Sequence, residues 1–410
     1  MYARAIIYNL TIIGAMLLAG CSHDDVTIEI TPSEPVAISF MPTLSPTLAE
    51  GEETTRAGQP GVMNSEDLRT TGFGVFASLN ENKTPDMMYN QEVKFTFVGD
   101  IDKPDPDPLK GYWSYQPLKY WPTGLTAASN FYISAYAPYV ERANLEDLPA
   151  DATGIIGISA NNAAPYVDYR RCEKPDEMVD LLWYYDKPNS IPAATSDHAA
   201  GTQKIEMRHA LARLEINVAL ADAPASGTKV LIEKITLKGK MAKEGRLSLS
   251  TQETAIETVI ENEVPKNVTR YYPVWSNQVN DKDGNGDDKN HTITIKNSED
   301  DDSYGIIDSQ VRYIDGLPYA WQPAGLSATL QNAVSTGDRK TYVYLIPQDK
   351  LELTVKVKYK KWTEGEENPT TGIKTTTEST LRIPKPTDED LNPKLRGSTP
   401  YALNITLSDI

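Results

Sequence analysis

The chain has 410 residues, enough for one to three domains of usual size and a sizeable hydrophobic core. It carries 57 acidic against 40 basic residues, a net charge of -17, which excludes electrostatically driven binding to nucleic acid or anionic lipid headgroups. Tyrosine (22) far outnumbers phenylalanine (6), a balance suited to half-buried strand surfaces whose hydroxyl ends stay wet.

In chain order, Arg4 precedes an uncharged, mostly apolar run, Ala5 to Ala19, that ends in Leu18-Ala19-Gly20-Cys21-Ser22. This is the build of a secretory signal peptide closed by a lipobox, with cleavage between Gly20 and Cys21 and a diacylglyceryl group on the Cys21 thiol. The run is shorter than the ~18 apolar residues of a transmembrane span. With Cys21 lipidated, Cys172 is the remaining thiol, and no intrachain disulfide forms despite export. Residues 22–35 are polar, acidic and contain two prolines, the composition of a tether. Val26, Ile28 and Ile30, then Val36, Ile38 and Phe40, alternate with polar or small residues, which predicts short strands with one buried face. The stretch 49–61, AEGEETTRAGQPG, has no large apolar side chain and presents a lone basic residue, Arg56, in a protease-accessible loop.

From Gly72 the pattern turns globular. FGVFASL, VKFTFVG, YWSYQPLKYWP and FYISAYAP read as short strands, separated by turn residues and by loops at 100–111 and 149–154. A polar, breaker-rich stretch at 186–204 marks a domain boundary. Beyond it Leu214, Ile216, Val218 and Leu220 alternate strictly, and further strands are predicted at 230–239, 246–250, 291–295, 340–347, 351–362, 375–384 and 401–407. The segments at 351–362 and 375–384 flank a turn-rich EGEENPTTG and form a predicted hairpin.

Chemistry is sparse. The four histidines, His23, His198, His209 and His291, fall in no HxxxH or HExxH pattern. His209, just ahead of a buried strand, reads as a packed histidine, and Cys172 has no histidine near it in sequence. There is no nucleophile elbow, P-loop or dinucleotide fingerprint. Asp281, Asp283, Asn285 and Asp287, with Gly286 at the turn, have the alternate spacing of calcium-binding loop oxygens. However, Thr292 stands where an EF-hand places its bidentate glutamate, so the loop reads either as a calcium candidate or as a solvated acidic loop. Trp113, Trp121, Trp183 and Tyr184 are candidate sugar-stacking platforms or, alternatively, core aromatics.

Several separate stretches share a direction: the lipobox, Thr54-Thr55-Arg56-Ala57, Tyr120-Trp121-Pro122, FYISAYAP, DLLWYY, MRHALARLEINV, YVYLIPQ and the terminal YALNITL. In this order the chain resembles the fimbrillin family, the FimA-like type V pilins. The resemblance implies an all-β chain of two tandem transthyretin-like Greek-key β-sandwich domains. It would divide the chain into a signal peptide (1–20), a lipidated propeptide with a removable strand (21–56), an N-terminal sandwich (57–203) and a C-terminal sandwich (204–410). It further implies an outer-membrane lipoprotein precursor, held to the membrane through its lipid alone. Cleavage between Arg56 and Ala57 would remove the strand bearing Val36, Ile38 and Phe40. The C-terminal strand, bearing Tyr401, Leu403, Ile405 and Leu407, would then be donated to another fimbrillin subunit in a surface fimbria. No enzymatic activity and no cofactor besides the lipid are expected. The alternatives are a fimbrial tip subunit and a monomeric surface lipoprotein that binds glycan or protein.

Overall fold

A computed structural model describes residues 36–45, 63–79, 82–98, 111–122, 130–185, 189–190, 202–220, 228–261, 264–296, 306–308, 321–323, 334–335, 342–349, 351–363, 374–383 and 394–407. The leader with Gly20 and Cys21, the Arg56–Ala57 site, His23 and His198 lie outside these residues.

Among the described residues the first half runs β1 (Ser39–Leu44), helix α1 (Ser65–Thr71), β2 (Phe73–Ser78), β3 (Met88–Phe97), β4 (Gly111–Ser114) and β5 (Asn130–Ala137). It continues with β6 (Gly154–Ile158), β7 (Tyr166–Arg170), β8 (Leu182–Tyr185), β9 (Asn189–Ser190) and β10 (Thr202–His209). The second half is β11 (Ala212–Leu220), β12 (Thr228–Gly239), β13 (Glu244–Glu261), β14 (Val264–Val279), β15 (His291–Lys296) and β16 (Ile306–Asp308). After these come β17 (Trp321–Pro323), β18 (Val334–Ser335), β19 (Val343–Leu345), β20 (Leu351–Thr363), β21 (Lys374–Ile383) and β22 (Pro400–Leu407). The chain is therefore mostly β, as its alternating patterns require.

The first sheet has the order β1-β10-β8-β5-β2-β3-β4. Its central strands FGVFAS, NFYISAYA and LWYY are buried almost throughout, because the sheet separates two cores. Phe73, Val75, Ile133, Leu182 and Tyr184 pack on one side with Ile38, Phe40 and Leu68. Phe76, Tyr136, Trp183 and Tyr185 face a second cluster that continues into the second half of the chain. Continuous apolar runs, rather than alternation, are what such doubly covered strands need.

Helix α1 is an insertion that the apolar pattern does not announce, since seven residues hold no full amphipathic repeat. Its start is nevertheless written locally. The Asn64 side chain accepts from the backbone N–H groups of Glu66 and Asp67, and Asp67 accepts from the Asn64 N–H, a capping box. It ends at Gly72, where φ is 65° and a Cβ would stand 2.7 Å from the Val93 carbonyl oxygen, so glycine is required twice over.

In the second half, the sheet β17-β22-β11-β18 and the sheet β15-β12-β20-β21 contribute to one cluster. Leu214, Ile216 and Val218 of β11 and Leu403 and Ile405 of β22 belong to it, together with Ile235, Leu237, Ile293, Val355 and Val357. This is sandwich packing, with the alternate residues of each strand turned inward. β20 and β21 pair antiparallel, as the hairpin reading requires. A fourth sheet, β14-β13-β7-β6, draws strands from both sides of residue 204. Past a bulge at Leu247/Gln252, β13 and β14 pair with each other as a long ribbon whose Ile256 is 75 % exposed. Past the bulge the described side chains of β13, Thr251 to Ile256, are exposed or half-buried and carry no alternating apolar signal, whereas Tyr272 of β14 is buried.

Burial holds two phenols neutral. Tyr136 donates to Asn90 Oδ1 at 2.7 Å, and desolvation raises its pKa well above the ordinary 10.0; burial does the same to Tyr169, with the Asp180 charge adding to it. In the unfolded chain these phenols ionise near 10, so above that pH the folded state holds more protons and stability falls as pH rises. Below pH 10 the pair adds no pH dependence. From these two groups the unfolding free energy measured in urea is expected to be flat toward pH 9 and to fall at pH 11, by up to ~1.4 kcal/mol per pH unit per tyrosine. The variant with both Tyr136→Phe and Tyr169→Phe should show a shallower alkaline fall.

Candidate functional site

β1 closes the first core. On one side it pairs in parallel with β10, Ser39 opposite Thr202 through Leu44 opposite Met207. On the other, the segment just before it meets the stretch that follows β4: Ile38 N donates to the Lys119 carbonyl at 2.8 Å, and Trp121 N donates to the Val36 carbonyl at 2.9 Å. Ala37 bridges Tyr120, and the Tyr115 hydroxyl donates to the Ile38 carbonyl at 2.8 Å. The two ends of the sheet are therefore joined through residues 36–44, whose first three residues bond to the 119–121 stretch and whose remainder pairs with β10.

Of the three apolar residues predicted for the removable strand, Ile38 and Phe40 are buried, at 1 % and 5 % exposure, whereas Val36 is 41 % exposed at the rim. Phe40 packs edge-on to Phe73 at 6.3 Å between ring centroids and against Tyr115 at 5.5 Å. The walls of this site, β10 and the Tyr115–Trp121 stretch, are legible only in part: YWSYQPLKYWP covers one and the start of MRHALARLEINV reaches the end of the other, but parallel pairing with a strand some 160 residues away leaves no local signal.

β22 repeats the geometry one strand further on. It lies parallel to β11, Arg213 opposite Pro400 through Leu220 opposite Leu407. Tyr401, Leu403 and Ile405 are buried, and Leu407 ends the strand. Because β10 leads directly into β11, both added strands attach to neighbouring members of one corner. That corner is tightly tied. Asp180 accepts from Met63 N at 3.2 Å and from Leu181 N at 2.9 Å, and it pairs with His209 Nδ1. The His209 carbonyl accepts from the Ser398 hydroxyl, just ahead of β22. His209 is thus a packed, hydrogen-bonded residue, placed between Met63 and the residues that lead into β22.

The remaining candidates are engaged structurally. Asp281 pairs with Lys243 Nζ at 3.0 Å, which holds its carboxyl below the usual range. The Asp283 carboxylate accepts from the backbone N–H groups of Asn285 and Asp287. Lys282 pairs with Asp288, and Gly286 turns the loop at φ 84°. Among the described residues no three His, Cys, Asp or Glu side chains gather as metal ligands. His291 is buried against Glu173 at 2.7 Å. Cys172 is buried, and the adjacent arginines turn elsewhere: Arg170 to Glu244, Arg171 to the carbonyls of Ala242 and Cys172. Trp183 and Tyr184 are core residues, and Trp113 and Trp121 pack against the first cluster.

No protein-family model matches the chain. It is 22 % identical over 406 residues to the fimbrium subunit Fim1C of Phocaeicola vulgatus, a match spanning 88 % of this chain and 97 % of that protein. Among solved structures, a fimbrial protein from Bacteroides vulgatus aligns over 90 % of this chain and 95 % of its own, with 17 % identity and a TM-score of 0.45. The likeness to a named fimbrium subunit along most of the chain, joined to the order of motifs in its sequence, supports the assignment of this chain to the fimbrillin family.

Proposed function

We propose that this chain is a structural subunit of a surface fimbria that serves adhesion. It is exported as a lipoprotein through Cys21, matured by cleavage after Arg56, and polymerised by donor-strand exchange. The observation that carries the reading is the position of β1: the segment that joins the two ends of the first sheet is the one that cleavage after Arg56 would detach.

Losing β1 exposes the sites of Ile38 and Phe40 and a row of backbone groups on β10 and on residues 119–121. Refilling such a groove is worth ~1.5–3 kcal/mol per apolar side chain and ~0.5–1.5 kcal/mol per ladder bond, a gross gain near ~10 kcal/mol before ordering and association costs. β22 has the alternation and the parallel orientation to do so, and after maturation each subunit has two slots and one such strand. Donation follows if the open β1 groove is the costlier vacancy. That groove exposes the aromatic packing of Phe73 and Tyr115, whereas β22 in its own chain is bordered on one side by the three-residue β17.

The four aromatics singled out as sugar-stacking platforms, Trp113, Trp121, Trp183 and Tyr184, lie in or against the cores, which favours the structural role. Replacing Arg56→Ala in cells is expected to leave a lipidated full-length precursor on the surface and to abolish filaments in electron micrographs. Filaments assembled from uncut Arg56→Ala protein would overturn the proposal.

A further inference from the structure

One sheet face reverses the sign of the chain. In the sheet β15-β12-β20-β21 the residues that alternate with the buried Ile235, Leu237, Val355 and Val357 turn away from the core. The register sets them in cross-strand rows: Lys234 opposite Lys358, Thr236 opposite Lys356, and Lys238 opposite Thr354. All six are exposed or half-buried. Directly opposed residues share a face, and successive rows lie two residues, ~7 Å, apart, so the four lysines form one contiguous strip. Glu352 is the one acid among the described side chains of this face, in a chain of 57 acidic and 40 basic residues. The strip ends at Lys240, which lies within electrostatic reach of Asp288 in the acidic loop.

Neither edge protection nor cross-strand charge pairing accounts for these lysines. Lysine guards the edges of sheets, but β12 and β20 are inner strands, each bonded to a neighbour on both sides at these rows. The register also sets Lys234 between Lys358 and Lys296, and like charges directly opposed destabilise a sheet. Departures of this kind from local consistency concentrate at functional sites. The threonine hydroxyls between the lysines both donate and accept hydrogen bonds. No aromatic or large apolar group among the described side chains of the face would anchor a folded protein.

We propose that this face binds an extended anionic polysaccharide whose carboxylate or sulfate groups recur along its length. The site goes beyond the fimbrial reading and does not depend on polymerisation. The ammonium groups meet the anions, and the threonine hydroxyls meet those of the sugar. Charges more than ~10 Å away are largely screened at ordinary salt, so a slender ligand lying on the strip responds to the strip and not to the net charge of -17. A bulky polyanion such as duplex nucleic acid meets the acidic remainder of the surface as well, and the net charge opposes it.

The test uses the uncut chain from Ser22, so that no assembly step enters, and a labelled heparin oligosaccharide as probe, with neutral dextran and duplex DNA beside it. One variant carries Lys234→Gln and Lys358→Gln, the other Lys238→Gln and Lys356→Gln. Urea midpoints are measured first, and if one pair fails to fold, the other carries the comparison. The parent should bind heparin but not dextran, with an affinity that falls steeply as salt rises, and each variant should bind roughly tenfold or more weakly. A control with Lys94→Gln and Lys174→Gln, exposed lysines on other elements, should bind as the parent does. A parent that does not bind heparin, or an equal loss in the control, overturns the site. Equal affinity for duplex DNA would mean unselective attraction of polyanions and overturns the polysaccharide assignment. Each of these outcomes leaves the donor-strand reading where it stands.

Discussion

A precursor carrying Met41→Cys and Lys204→Cys, oxidised before proteolysis, is expected to be cut after Arg56 and to remain monomeric until a reductant is added. Met41 and Lys204 are directly opposed in the parallel β1–β10 pair, and both are exposed, so neither core loses a side chain. Neighbouring strands lie ~4.8 Å apart, within the Cα separation that a disulfide spans. Cys172 is buried and does not compete. The bond lets the protease act while keeping the cut strand in its groove, which separates cleavage from vacancy as the event that starts assembly. Reduction should restore filaments in full. Filaments formed while the bond is intact would mean that the groove need not empty, and strand replacement at β1 would fail as an explanation.

The second large effect concerns the other strand. With Asn217→Cys and Asn404→Cys, paired across β11 and β22, the C-terminal strand is fixed in its own chain. Positions 217 and 404 alternate with the buried Ile216, Val218, Leu403 and Ile405, so the cross-link spares the core face. The oxidised protein should lose its β1 segment on cleavage, expose an unfilled groove, and stay unable to donate. It should still accept a peptide of residues 398–410, and light scattering should rise only on reduction. Deleting 401–410 is a poorer test, because Tyr401, Leu403 and Ile405 are buried at home, and their loss at ~1.5–3 kcal/mol each approaches the stability of a whole domain. Polymerisation of the oxidised protein would exclude β22 as the donor.

Legibility in the sequence followed burial geometry. Strands whose core residues alternate in sequence, such as β11 with Leu214, Ile216 and Val218, announce themselves, and so does β22. The hairpin of β20 and β21 is legible because its partners are adjacent in sequence. The parallel pairings of β1 with β10 and β22 with β11 join residues far apart in the chain, and no local pattern encodes a partner at that distance. The second wall of the groove, residues 119–121, depends on how the ends of an entire sheet are joined. The Asp180–His209 contact shows the same limit: His209 is readable as a packed histidine, but the carboxylate it meets follows from how β8 and β10 align. The stretch of β13 past its bulge is hidden for the opposite reason, since its described residues, Thr251 to Ile256, bury no apolar face and leave no periodicity.

The central claim is that the lipid-bearing segment with β1 is temporary and that the filament is built from chains that have lost it. Mass spectrometry of subunits from filaments shed by the cell tests this most directly. The account predicts an N-terminus at Ala57 and no acyl modification; filaments whose subunits begin at a lipidated Cys21 would contradict it.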